Sequence, residues 1–197
     1  MRALRPGVPI ASPAMLTNRP VTLGALYGAT RTLKLSGAPD DQTAQTIAAM
    51  FAFVHDTDRS QLAHRVAVAL ASKVPQKDFR GQLRAVYEFV LQRVRFKRDT
   101  FDREHLRHPD QLLSEILATG STAADCDDAS MLGAALVRAL GMPPVFITMA
   151  RGALTPYEHV YFGAELDGQI VPMDPQERTP FGQHTPPASA RRRVWSA

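Results

Sequence analysis

The chain has 197 residues, of which 45% are hydrophobic and 21% are charged, a composition typical of a globular protein. It contains one cysteine, which excludes an internal disulfide, and no apolar run long enough to cross a membrane. The net charge of +4 is uneven: residues 1–39 carry +5 and residues 187–197 carry +3, which leaves −4 for residues 40–186. The single cysteine agrees with a reducing compartment, and the first residues lack the apolar core of a signal peptide, so the sequence predicts a cytoplasmic location.

Changes in composition along the chain predict three segments. Residues 1–39 form a basic, extended N-terminal segment, residues 40–176 form the folded domain, and residues 177–197 form a tail rich in proline and arginine. Basic ends suit an acidic partner surface, so other proteins of an assembly are the predicted partners of both terminal segments. The sequence contains no motif for binding DNA or RNA, and we therefore predict no nucleic-acid partner.

The first half of the domain has the apolar period of amphipathic helices. In the third such segment the apolar residues form a continuous stripe that ends in a basic run, which suits a helix C-terminus. Pro109 suits the first turn of a shorter fourth helix. The predicted helices cover 43–54, Ser60 to before Pro75, 78–96 and 110–117, and a polar connection covers 97–108.

A fifth helix is predicted between Ser121 and Gly141, and it begins with the only cysteine, Cys126. Leucines recur at four-residue spacing, Asp125 is placed to cap the helix, and Gly141 ends it. A thiol in the first turn meets the positive end of the helix dipole and the backbone N–H groups, so its pKa is expected to be lowered. The same N–H groups are suited to stabilise an oxyanion.

Three aspartates flank this cysteine and leave other interpretations open. A free cysteine most often packs as a small hydrophobic residue, and nearby carboxylates raise the pKa of a thiol. A calcium site at Asp125, Asp127 and Asp128 is disfavoured, because the segment lacks the spaced ligands and central glycine of an EF-hand loop. A zinc site is disfavoured because no cluster of histidines accompanies the cysteine. We therefore predict no metal and no other cofactor.

The apolar period changes to two after this helix and predicts strands at 145–149, 158–166 and 169–173. Asp167 and Gly168 form the dipeptide preferred in two-residue type I′ hairpins, so the last two strands are expected to pair antiparallel. Helices followed by an antiparallel sheet predict an α+β fold, in which N-terminal helices pack on a C-terminal sheet.

The register of this hairpin brings two polar side chains together. If Asp167 and Gly168 are the loop residues, Tyr161 faces Asp174, and His159 lies on the same face, two residues from Tyr161. His159 and Asp174 are then diagonal neighbours, and their side chains are expected to meet. The opposite face carries apolar residues and is the expected core face.

Cys126, His159 and Asp174 have the residue types of a Cys-His-Asp triad. In this hypothesis Cys126 is the nucleophile, and His159 accepts its proton and holds it as a thiolate. Asp174 orients the imidazole and stabilises the imidazolium. Taken singly, each residue has a commoner structural role: packing, a hydrogen-bonded histidine, or a turn residue before Pro175.

The same residues carry a resemblance to a known family. Ala-Asp-Cys-Asp-Asp-Ala around Cys126, His-Val-Tyr from His159 and Val-Pro-Met-Asp-Pro around Asp174 resemble motifs of the transglutaminase-like superfamily, most of all its bacterial and phage-borne branch. The resemblance covers about residues 40–176. It implies a papain-like α+β fold, with the cysteine on a helix packed against an antiparallel sheet, and the triad Cys126, His159 and Asp174. The chain departs from the family pattern at Ala124, where glycine is usual, and at Tyr161 and Ile170, where tryptophan is frequent.

The resemblance implies an enzyme that acts on amide bonds of a protein or peptide through an acyl-enzyme. Hydrolysis by a peptidase or amidase is preferred to cross-linking, because the sequence identifies no site for an amine acceptor. The alternative is a non-catalytic structural or assembly protein, such as a phage virion component, that keeps the fold for binding. The second donor to the oxyanion is open among Gln111, Ser121 and Thr122.

Overall fold

The computed structural model describes residues 30–97, 104–152 and 155–196. Its helices are α1 (Pro39–Asp56), α2 (Leu62–Ala71), α3 (Phe79–Arg93), α4 (Pro109–Thr119) and α5 (Cys126–Ala139), with a 3-10 turn at Thr57–Arg59. Its strands are β1 (Thr30–Leu33), β2 (Val94–Phe96), β3 (Glu104–Arg107), β4 (Thr122–Ala124), β5 (Pro144–Ala150), β6 (His159–Leu166), β7 (Gln169–Met173) and β8 (Arg191–Ser196). All five helices precede the main sheet, and the predicted α+β class is confirmed. Within the described ranges, none of the helices has both the length and the apolar character needed to span a bilayer.

Helix α5 lies at the centre of the fold. It contacts the other four helices as well as strands β5 and β6, and Leu132 and Leu136 have no exposed surface. Gly133 allows the helix to approach the sheet closely, because a Cβ at this position would lie 2.4 Å from the ring of Phe162. The first residue of α5 therefore lies at the end of a tightly packed element.

The main sheet has the strand order β7-β6-β5-β8, and all neighbouring strands are antiparallel. Asp167 and Gly168 have φ angles of +53° and +72°, as a type I′ turn requires. The predicted hairpin register is confirmed along the whole β6–β7 pairing, from Leu166 opposite Gln169 to Phe162 opposite Met173. The face that packs on the helices carries the residues expected there: Val160, Phe162, Ala164, Val171 and Met173.

The basic end of the third predicted helix is a strand, so the predicted helix end at residue 96 is wrong. Helix α3 stops at Arg93, and the next three residues form β2, which pairs in parallel with β4. Val94 and Phe96 are branched and aromatic residues that suit a strand once a partner is available. The polar connection predicted at 97–108 likewise contains a strand, β3, which pairs with β1.

The segment after residue 176 contributes a strand to the main sheet. Strand β8 pairs antiparallel with β5, from Arg191 opposite Ala150 to Ser196 opposite Val145. The sequence pattern does not predict this strand, because three consecutive arginines mask the alternation in which Trp195 packs against the core. Of the extended segment predicted at residues 1–39, residues 1–29 lie outside the described residues, whereas residues 30–33 form β1 and Pro39 begins α1. The predicted domain boundaries stay predictions.

Candidate functional site

A cleft of about 640 Å³ lies at the N-terminal end of α5. Cys126 and His159 both line it, together with Val160 of β6 and Gln176 from the turn after β7. Residues from the start of α1, the exposed ring of Phe96 and the segment before β6 also line it. A concave site of this volume is large enough for a small ligand or a few residues of a peptide.

Cys126 is the first residue of α5, as the sequence predicts. The carboxylate of Asp125 caps the helix and accepts the backbone N–H of Asp128 at 3.1 Å. The predicted cap is thus confirmed. The thiol is half-buried, and its Sγ donates a hydrogen bond to Oδ1 of Asp127 at 3.3 Å.

The prediction that this position lowers the thiol pKa is wrong. Burial raises the pKa of Cys126 well above its usual value, and the negative charges of Asp127 and Asp125 raise it further. A hydrogen bond between the backbone of Val160 and the sulfur lowers the pKa but is outweighed. At rest Cys126 is therefore a protonated thiol, whose hydrogen points to a carboxylate.

The backbone of Val160 joins the start of α5 to β6. Its carbonyl oxygen accepts a hydrogen bond from Oγ of Ser130 at 3.1 Å, and its backbone also hydrogen bonds to the sulfur of Cys126. Val160 lies beyond the end of the β6–β7 pairing, which stops at Phe162. Because His159 directly precedes Val160, these contacts hold the first turn of α5 against the strand end that carries the imidazole.

His159 and Asp174 meet, as the hairpin register predicts. Nε2 of His159 lies 2.7 Å from Oδ2 of Asp174, and the two side chains are 8% and 0% exposed. An ionised carboxylate only accepts hydrogen bonds, so the proton in this contact belongs to Nε2. Nδ1 of the same ring then carries a lone pair and is the nitrogen able to accept a proton. The ring also stacks on Tyr161, with centroids 5.8 Å apart.

Asp174 accepts two further hydrogen bonds. The backbone N–H of Glu177 donates to Oδ1 at 3.2 Å, and the hydroxyl of Thr185 donates to Oδ2. These donors match the acceptor-only chemistry of an ionised carboxylate. Thr185 lies in a loop without periodicity, so the sequence holds no sign of this contact.

Two more residues line the cleft that the sequence pattern does not predict there. Gln176 donates from Nε2 to the carbonyl oxygen of Asp125 at 3.1 Å, and its Oε1 is buried with no hydrogen-bond partner among the described residues. Arg151 bridges the carboxylates of Glu158, at 3.1 Å, and Glu177, at 3.2 Å. The only sequence signal for Gln176 is its place just after the predicted triad aspartate.

The three candidates for a second oxyanion donor do not line the cleft. Oγ1 of Thr122 donates to Glu115 at 2.6 Å, the hydroxyl of Ser121 accepts from Arg95 at 3.2 Å, and Gln111 hydrogen bonds to Glu115. Thr122 and Gln111 thus belong to a polar network around Glu115 of α4, whereas the Ser121 hydroxyl contacts β2. Within the described part of the chain, no group of three or more histidine, cysteine or acidic side chains is placed to hold a metal ion.

No protein-family model matches the chain, and no curated protein matches it. Among solved structures, it is similar to a protein of Cytophaga hutchinsonii that is named as a candidate cysteine protease, with 18% sequence identity and a TM-score of 0.45. The alignment covers 68% of this chain and 47% of the other, so the chain spans about half the length of that protein. A functional assignment therefore depends on the geometry of the cleft.

Proposed function

We propose that this chain is a cysteine hydrolase that cleaves amide bonds in a peptide or protein. Cys126 is the nucleophile, His159 is the general base and then the general acid, and Asp174 orients the imidazole. One observation carries the proposal: the imidazole that contacts Asp174 at 2.7 Å shares its cleft with the thiol of Cys126. A nucleophile, a base and an orienting group within one cleft are what acyl transfer requires.

The raised thiol pKa bears on when Cys126 loses its proton in the first step. Burial and the charges of Asp127 and Asp125 raise the pKa of Cys126, and we therefore place the loss of its proton in the same step as the attack. Nδ1 of His159 accepts that proton while Sγ forms a bond to the carbonyl carbon. The carbonyl oxygen gains negative charge. The positive end of the α5 dipole stabilises this charge, because Cys126 is the first residue of that helix.

The imidazolium then donates its proton to the leaving nitrogen as the C–N bond breaks, and a thioester stays on Cys126. Water attacks the thioester with His159 again as the base, the carboxylic acid leaves, and the thiol regains its proton. We propose hydrolysis in preference to transfer of the acyl group to a second amine. Membership of the bacterial and phage-borne branch of the transglutaminase-like superfamily is proposed from the motif resemblance alone.

A non-catalytic role is the second candidate function. The thiol of Cys126 donates to Asp127 at 3.3 Å, and burial raises its pKa, which are features of an inert cysteine. In this case the chain is a structural or assembly protein, such as a phage virion component, that keeps the fold for binding. Its basic N- and C-terminal segments would contact other proteins of the assembly, and its location would be the virion and not the cytoplasm.

A peptide-library assay separates the two candidates. The chain is incubated with a mixture of synthetic peptides that have blocked termini, and mass spectrometry detects cleaved and deamidated products. We expect products that disappear in Cys126→Ala and fall about 100-fold or more in His159→Gln, because triad members act as a unit. His55→Gln changes an exposed histidine outside the cleft and is the matched control. No products, or equal products in wild type and Cys126→Ala, would favour the assembly role.

A further inference from the structure

The carboxylate of Asp174 lies at the end of a chain of buried hydroxyl groups. The hydroxyl of Thr185 donates to Oδ2, the same oxygen that accepts the Nε2 hydrogen of His159. Oγ1 of Thr179 lies 3.0 Å from Oγ1 of Thr185. Asp174, Thr179 and Thr185 are only 1%, 4% and 2% exposed, so water does not compete for these bonds.

The donor and the acceptor of each hydroxyl hydrogen bond follow from the number of hydrogens available. A threonine hydroxyl has one hydrogen to donate and two lone pairs to accept with. Because Thr185 uses its hydrogen on Asp174, the bond between the two threonines is donated by Thr179 and accepted by Thr185. The hydrogen bond from Thr179 polarises the hydroxyl of Thr185 and so strengthens the bond that Thr185 donates to the carboxylate.

Two distant elements hold the two threonines in place. Arg192 of β8 donates to the backbone carbonyl oxygens of Thr185 and of Ala190, the latter at 3.0 Å. Tyr87 of α3 donates its hydroxyl hydrogen to the carbonyl oxygen of Thr179 at 2.6 Å. The hydroxyl chain is therefore fixed from both sides, and β8 supports it through the loop that precedes the strand.

We propose that Thr185 is a positioning residue for the His159–Asp174 pair and that Thr179 orients it. The Thr185 hydroxyl holds Oδ2 of Asp174 toward Nε2 of His159. Without this hydroxyl, Oδ2 keeps its contact with the rotatable imidazole of His159, and the backbone N–H of Glu177 holds the other oxygen. The imidazole then loses the fixed acceptor that selects its Nε2–H tautomer. The catalytic consequence rests on the proposed function, whereas the effect on the tautomer does not.

The test compares Thr185→Val, Thr185→Ser and Thr57→Val with the wild type. Valine keeps the shape of threonine without its hydroxyl, and serine keeps the hydroxyl. Thr57 is the matched control, because it is 3% exposed, lies outside the cleft and donates its hydroxyl hydrogen to the carbonyl oxygen of Val54. Nitrogen NMR of isotope-labelled histidine reports the tautomer of His159, whose signal is identified by its loss in His159→Gln. The value of kcat/KM is measured with a peptide that the library assay identifies.

We expect Thr185→Val to lose the single Nε2–H tautomer and to lower kcat/KM about 10- to 100-fold, mainly through kcat, because a slightly misplaced catalytic group has effects of this size. Thr185→Ser and Thr57→Val should retain both properties. If Thr185→Val does not fold, Thr179→Val removes the donor to Thr185 and should cause the same changes to a smaller extent.

The outcomes separate this inference from the proposed function. A folded Thr185→Val, or failing that Thr179→Val, with the wild-type tautomer and kcat/KM would overturn the positioning role. A wild type that cleaves no peptide, combined with a changed His159 tautomer in Thr185→Val, would support the positioning role and reject the hydrolase.

Discussion

Nε2 of His159 lies 2.7 Å from Oδ2 of Asp174, although the two residues are fifteen positions apart along the chain. The two-residue turn at Asp167 and Gly168 produces this contact, because it fixes which residues of β6 and β7 lie opposite each other. Both side chains are buried, so water and salt screen their interaction little. The pair is thus held by the fold and differs from a surface ion pair, whose geometry is loose.

The substitution Asp174→Asn should disable this pair. An amide has one acceptor oxygen and two N–H hydrogens, which would meet the three donors from His159, Glu177 and Thr185. We expect kcat/KM to fall roughly 10²- to 10⁴-fold and the free energy of unfolding to fall by about 1–3 kcal/mol. Peptide kinetics and urea unfolding measure the two effects. Asp78→Asn is the control, because asparagine can replace Asp78 as the N-cap of α3. Wild-type kinetics in Asp174→Asn would contradict the orienting role of Asp174.

The substitution Asp127→Asn should make the thiol more reactive. Burial and the charge of Asp127 both raise the pKa of Cys126, so removing the charge lowers that pKa and increases the thiolate fraction at any pH below it. We expect alkylation by iodoacetamide at neutral pH to be several-fold faster, and its pH profile to move to lower pH. Labelling reports on Cys126 alone, because the chain has one cysteine. Asp58→Asn, which changes a surface carboxylate paired with Arg138, should leave the rate unchanged. An unchanged or slower rate in Asp127→Asn would show that this carboxylate does not control the thiol.

The substitution Gly133→Ala should destabilise the fold. Alanine is the better helix former by about 1 kcal/mol, but its Cβ would lie 2.4 Å from the ring of Phe162. That ring is fully buried among the residues of the main core, so we expect a net loss of about 1–3 kcal/mol in the free energy of unfolding. Urea unfolding followed by the fluorescence of Trp195, the only tryptophan, measures this loss. Adding Phe162→Leu to Gly133→Ala should recover part of the lost free energy of unfolding. A Gly133→Ala chain as stable as the wild type would contradict the close packing of α5 against β6.

His108 should make the stability depend on pH. It is 2% exposed, and its Nδ1 caps α4 by accepting the backbone N–H of Asp110 at 3.2 Å. Burial lowers the pKa of His108, with Asp110 and Asp56 opposing that change and Arg31 reinforcing it. Because the unfolded chain then binds a proton more readily than the folded chain, stability falls as the pH drops below the unfolded value of about 6.5.

The substitution His108→Asn isolates this contribution. Asparagine keeps a side-chain acceptor for the helix cap and removes the titrating ring. We expect the wild type to lose more stability than His108→Asn between about pH 7 and about pH 5, measured by urea unfolding. Burial raises the pKa of Asp110, which acts in the opposite direction but is present in both chains. Parallel stability curves for the two chains would mean that His108 does not titrate with folding in this range.

The sequence suffices to predict the helix at Cys126 and the hairpin at Asp167, because both depend on residues that are close along the chain. Asp125 caps α5, and a positive-φ turn sets the β6–β7 register. These local features bring His159 and Asp174 together without knowledge of the rest of the fold. The α+β class follows from the same change of period.

Features that depend on distant partners are not predictable in this way. Residues 94–96 form β2 because β4 lies beside them, and β8 is a strand because β5 provides an edge. The local sequence predicts that the helix N-terminus lowers the thiol pKa. It does not predict the burial of the thiol, which raises the pKa. Thr185 reaches Asp174 through a loop that is held by hydrogen bonds from Tyr87 of α3 and Arg192 of β8.

The most direct test of the proposed triad is a search for an acyl group on Cys126 during turnover. The wild-type chain is mixed with the best peptide from the library, quenched in acid before the first turnover is complete and digested, and mass spectrometry locates any thioester. We expect a thioester on Cys126 that does not accumulate in His159→Gln. Peptide cleavage without an acyl group on Cys126, or a thioester that forms equally fast in His159→Gln, would contradict the triad.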